Sequence, residues 1–104
     1  MVNPFAGEVA VLVDGEVRMA KLTLGALAEL ETALGADTLV GLVQRFEGGG
    51  VSSRDVLALV VAGLRGGGWR GTAADLLSAE IGGGAVGAAK VAAELLARAF
   101  GTRE

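Results

Sequence analysis

The sequence predicts an α+β fold, mainly α: an N-terminal β-hairpin followed by about five helices in one small domain, residues 1–104. Three observations carry this reading. Asp14-Gly15 stands between two valine-rich runs. A Thr, Asp or Ser heads four of the five apolar-periodic segments that follow, and glycines close several of them. Finally, VLALVVAGL, residues 56–64, holds no polar side chain.

The hairpin, about residues 8–22, rests on EVAVLVDGEVRMAKL. A two-residue type I′ turn needs positive φ at both positions, which Asp-Gly supplies. Pairing Val13 with Glu16 sets the register. Leu12 then faces Val17, Ala10 faces Met19, and Glu8 faces Lys21. The first two pairs make an apolar face. The other face carries Val9, Val11 and Val13 with Arg18 and is only partly polar. A lone hairpin is marginal in water, so this one must lie on helices or join a partner's sheet.

Thr23 caps a helix over about residues 24–34, with Leu24, Leu27, Leu30 and Leu34 along one side and Gly35 closing it. Asp37 caps the next, about 38–47, whose stripe is Leu39, Leu42, Val43 and Phe46. Ser52 opens a third, about 53–65, with Asp55 at the capping-box position. A helix apolar all round is buried on all sides, so it belongs at the centre of the core. Thr72 with Asp75 repeats the cap and opens a short helix, about 73–80. The last helix, about 85–100, sets Ala88, Val91, Ala92, Leu95, Leu96 and Ala99 against Lys90, Glu94 and Arg98.

Composition narrows the chemistry. The chain has no Cys and no His, which removes disulfides, thiolate nucleophiles, imidazole bases and the usual zinc ligands. A net charge of −3 speaks against a nucleic-acid partner, which calls for a basic footprint. The longest apolar run falls well short of the roughly 20 residues of a membrane span. The opening MVNPFAGEV lacks a basic region followed by a long apolar run, so no signal peptide is expected. These features lead us to expect a soluble cytoplasmic protein without metal, cofactor or membrane contact. Glu29 and Glu31 point to different sides of a helix, and Asp14 and Glu16 belong to the turn. No cluster offers several oxygens to a hard cation at sensible spacing. Catalytic residues are therefore not expected, and the chain reads as a non-enzyme.

One stretch invites a sharper reading: LRGGGWRGT, residues 64–72. Gly66 and Gly71 have P-loop separation and Thr72 follows, but the lysine is missing and the preceding segment reads as a helix. A small ligand- or nucleotide-binding domain is thus a remote alternative, and a joint between helices the plainer one. Arg65, Trp69 and Arg70 are the candidate partner-binding residues, since Trp and Arg are enriched at interface hot spots. The competing reading, which carries more weight, folds Trp69 into an aromatic-poor core.

Three segments then bring a family into view: residues 7–49, with LTLGALAELE at 22–31; SSRDVLALVVAGLRGGG, 52–68; and GGGAVGAAKVAAELLARAFG, 82–101. In order and spacing they resemble a small gene transfer agent family protein over residues 7–101. Its members are encoded among the tail genes of phage-like gene transfer agents of alphaproteobacteria and of related prophages. The family carries two descriptions, tail tube protein and tail assembly chaperone. The second implies a coat for the long helices of the tape measure protein, lost from the finished particle. A tube subunit needs extensive sheet to wall a lumen, and this chain supplies one hairpin and then helices, so the chaperone description fits better. The partners implied are the tape measure protein, with the tail tube protein as a second. Self-association is also expected, since a coat needs repeating units and the hairpin edge is available.

Overall fold

The computed structural model describes residues 7–34 and 39–100. Its elements run β1 (Val9–Val13), β2 (Glu16–Ala20), α1 (Leu24–Leu34), α2 (Leu39–Gly48), α3 (Ser53–Gly66), α4 (Ala73–Leu77) and α5 (Gly84–Ala99). The order of hairpin then helices is the one the sequence predicts. The expected closing residue Gly35 and cap Asp37 lie outside the described residues.

The hairpin adopts the expected register, with Val13 opposite Glu16, Leu12 opposite Val17 and Ala10 opposite Met19. Asp14 has φ 51° and Gly15 φ 82°, the positive pair that the turn demands. The buried face is the one that looked partly polar. Val9, Val11, Val13 and Ala20 are buried, whereas Leu12 is 43% and Val17 70% exposed. The reason is the β-branched row on β1: three alternating valines give one face more apolar bulk than the Leu12/Val17 side. Glu16 and Arg18 share that buried face only at the turn end, where both are exposed and pair at 2.9 Å.

The hairpin is fastened at two places. At its far end, the Lys21 N–H donates to the Gly63 carbonyl of α3 at 2.8 Å. At the turn, the segment after α4 lies along β1, with an antiparallel bridge between Val13 and Ile81. There Asp14 N–H donates to Glu80 O at 2.8 Å, Gly82 N–H to Leu12 O at 2.9 Å, and Glu80 N–H to the Asp14 carboxylate at 2.8 Å. This docking is why α4 ends at Leu77 and not near residue 80: the chain must straighten to reach the strand edge.

The caps are those the sequence announces. Thr23 Oγ1 accepts from Ala26 N–H at 3.0 Å. Ser52 and Asp55 form a reciprocal capping box, as do Thr72 and Asp75. On α1 the buried residues are Ala26, Leu30 and Leu34, with Leu27 half-buried, while Leu24 stands 85% exposed. Leu24 opens the helix and lies off the stripe that meets α3.

Helix α3 is the centre. It packs against α1, α4, α5 and β2 and buries Leu59, Val60 and Leu64 almost completely. Each such side chain contributes about 1.5–3 kcal/mol relative to an exposed one. Helix α5 crosses α3 at Gly63, where an added Cβ would lie 2.6 Å from Leu95 Cδ1. The burial of α3 is not uniform, however: Val56, Leu57, Ala58 and Val61 are only half-buried. These residues floor the grooves described next.

Candidate partner-binding surface

The stretch LRGGGWRGT is built, not loose. Gly66 is the last residue of α3, and Gly67 caps it. A Cβ on Gly66 would run into the Lys21 carbonyl, and one on Gly67 into the Met19 carbonyl. The glycines therefore allow the end of α3 to press against the backbone of β2. What reads in the sequence as a joint is the seat of the hairpin. Gly68, at φ +106°, then reverses the chain.

The candidate residues separate in space and role. Trp69 is half-buried against the core, its backbone N–H donating to Leu64 O at 2.9 Å. Its indole lies over Gly71, where any Cβ would collide with the ring. Arg65 is exposed and lies over α1, its Nε 2.9 Å from Glu29 Oε1 and an Nη 3.0 Å from the Gly71 carbonyl. The Glu29 carboxylate raises the proton affinity of that guanidinium above the usual arginine value. Arg70 is exposed. A phosphate cradle does not form here: a helix precedes the glycines, and the Thr72 hydroxyl is occupied with Asp75.

Two open apolar grooves flank α4. The first, about 460 Å³, lies between α1, α3 and the start of α4, over Leu30, Ala33, Leu57, Ala58, Val61 and Ala62. The second, about 550 Å³, lies between α3, α4 and the start of α5, over Val56, Leu57, Val60, Leu76, Ile81 and Ala88. Arg54 and Leu57 border both. Leu77, at the lip of the second, is 74% exposed. Exposed apolar surface of this kind marks an interaction site more than a reaction site. Among the described residues there is no group of three or more acidic side chains placed to hold a metal ion. None of the described helices is long and apolar enough to cross a membrane.

The profile of a family described as phage tail tube protein, GTA-gp10, matches residues 6–102. The chain belongs to this family. It is thus a phage-like tail protein, and the match takes in the hairpin, the described helices and both grooves. No curated protein and no solved structure matches the chain.

Two features of the chain escape a reading of sequence alone. One is Arg54, which no periodicity singles out. The other is the bidentate pair of Arg45 with Asp55, at 3.1 and 3.0 Å. Asp55 is legible as a cap, but its partner sits ten residues upstream on a different helix.

Proposed function

We propose that the protein is a non-enzymatic tail assembly chaperone. It works in the cytoplasm of the producing cell and holds helices of the tape measure protein in solution until tube subunits polymerise around them. The observation that carries this reading is the pairing of a minimal sheet with open grooves. Among the described residues the sheet has two strands, too little to wall a ring lumen. The apolar surface instead lies between helices, where an amphipathic helix docks by its i, i+3, i+4 and i+7 positions.

The family description supports a second reading, a structural tube component. The two differ in where the protein ends up. Co-expression with the tape measure protein, followed by pull-down, tests the first. It expects a soluble complex holding many copies of this chain per tape measure protein. Fixed stoichiometry of this chain in purified particles, with no soluble complex, would establish the tube reading instead.

A further inference from the structure

We infer that the groove between α1, α3 and α4 is the docking seat for one amphipathic helix, with Arg54 selecting a carboxylate beside that helix's apolar stripe. This inference rests on the helix-holding reading above and adds the site and the chemistry of recognition.

The floor comes from one face of α3. Leu57, Ala58 and Val61 lie between Arg54 and Arg65, spaced as neighbours on a helix. From Arg54 to Arg65 is about 16 Å at ~1.5 Å per residue, roughly three turns of a guest helix. Ala33, Ala58 and Ala62 keep the floor low. Small residues on the host leave room for large ones on the guest, so the stripe that fits is rich in leucine or similar bulk.

Charge supplies the second half of the argument. The whole chain carries −3, yet the charged side chains lining this groove are Arg54, Arg65 and Glu29, a sum of +1. Arg65 and Glu29 neutralise each other at 2.9 Å. Arg54 is exposed and bonds the Ala33 carbonyl at 3.3 Å. Among the described residues it has no carboxylate within ion-pair distance. An apolar trough with one uncompensated cation at its end, on an acidic protein, complements an apolar helix carrying an acid.

The test uses overlapping 25-residue peptides from the tape measure protein and fluorescence anisotropy with the full chain. Arg54→Glu alters an exposed side chain, and Val61→Asp places a charge in the floor of this groove and not of its neighbour. Circular dichroism checks the fold of each. At least one peptide with a leucine-rich stripe and a flanking acid is expected to bind. Arg54→Glu should weaken it at least tenfold, and exchanging the peptide's acid for lysine should restore binding to that variant. No binding of any peptide, or of the whole tape measure protein, to the wild type overturns the helix-holding reading and this assignment with it. Binding unchanged by both variants overturns the assignment alone. Concentration-dependent self-association abolished by Arg54→Glu, with peptide binding unaffected, would seat a second copy of this chain there and also overturn it.

Discussion

Arg45 grips Asp55 with two parallel hydrogen bonds, Nε to Oδ2 at 3.1 Å and Nη2 to Oδ1 at 3.0 Å. The pair ties α2 to the first turn of α3. The same carboxylate accepts from the Ser52 N–H at 3.0 Å, so one side chain caps a helix and staples its neighbour. Only 8% of the Asp55 side chain is exposed, against 30% for Arg45. Asp55→Ala removes both roles and leaves a guanidinium that can turn to water. The expected loss is about 1.5–3 kcal/mol, the range for hydrogen bonds to a charged group. Urea unfolding should show a lower midpoint with an unchanged slope.

The same pair predicts a pH dependence. Hydrogen bonding from Arg45 is the main force holding the Asp55 carboxyl below its ordinary value, against an opposing push from burial; Ser52 adds to the lowering. The folded chain thus binds this proton more weakly than the unfolded chain. Its stabilising contribution is full above the unfolded value of about 3.9 and fades as pH falls through the folded one. Unfolding of the wild type and Asp55→Asn at pH 6 and pH 2.5 checks this. The gap between the two chains should narrow in acid. A gap of constant size would show that the charge on Asp55 plays no part.

The glycines at the end of α3 and the glycine of α1 predict opposite signs from the same substitution. Gly66→Ala drives a methyl into the Lys21 carbonyl just after β2, and Gly67→Ala drives one into the Met19 carbonyl of β2, an overpacking that costs about 1–3 kcal/mol. For Gly66, helix propensity returns up to about 1 kcal/mol. Gly25→Ala in α1 meets nothing closer than Thr23 Oγ1 at 3.9 Å and should stabilise by about 0.5 kcal/mol. Thermal melts of the three variants compare them directly. Three stabilised variants would mean that Gly66 and Gly67 serve only as flexible joints.

Much of this fold was legible because its signals are local. The Asp14-Gly15 turn, the Thr23 cap and the Ser52–Asp55 and Thr72–Asp75 boxes each lie within four residues of chain, and each forms. The hairpin register follows from the turn alone. Which hairpin face is buried does not, because it depends on where α5 and Ile81 meet β1. The end of α4 was misplaced for the same reason: Glu80 is held by Asp14, sixty-six residues away in sequence. The candidate site was legible in composition but not in arrangement. Arg65, Trp69 and Arg70 are neighbours in the chain, yet Trp69 turns to the core while Arg65 crosses to Glu29 on α1. Arg54 draws meaning only from the groove beside it.

Trp69 and Arg65 can be told apart by stability. Trp69→Ala removes a half-buried ring and should cost about 2 kcal/mol, less than the 3–5 kcal/mol of a fully buried aromatic. Arg65→Ala loses only a solvent-screened exposed pair and should leave the unfolding midpoint close to that of the wild type. Trp69 is the chain's one tryptophan and the chain has no tyrosine, so far-UV circular dichroism, which does not depend on the ring, follows unfolding of both variants and the wild type. If Trp69→Ala is as stable as the wild type, its ring is available for a partner and not committed to the core.

Asp14 joins turn and core, and its substitution tests that link. A non-glycine residue at positive φ costs about 1–2 kcal/mol, which Asp and Asn lower with their short polar side chains. Asp14 also accepts from the Glu80 N–H at 2.8 Å, a bond worth about 1 kcal/mol. Asp14→Asn keeps a carbonyl oxygen as acceptor and tolerance for the turn, so it should stay within about 0.5 kcal/mol of the wild type, as an exchange breaking no such feature does. Asp14→Ala loses both and should cost about 2 kcal/mol, the strain and the hydrogen bond together. Hydrogen exchange localises the effect. In Asp14→Ala the Asp14-side bond from Gly82 N–H to Leu12 O should open first, before the amides of α3. Uniform loss of protection across the chain would show instead that the turn is not separately coupled to residues 80–82.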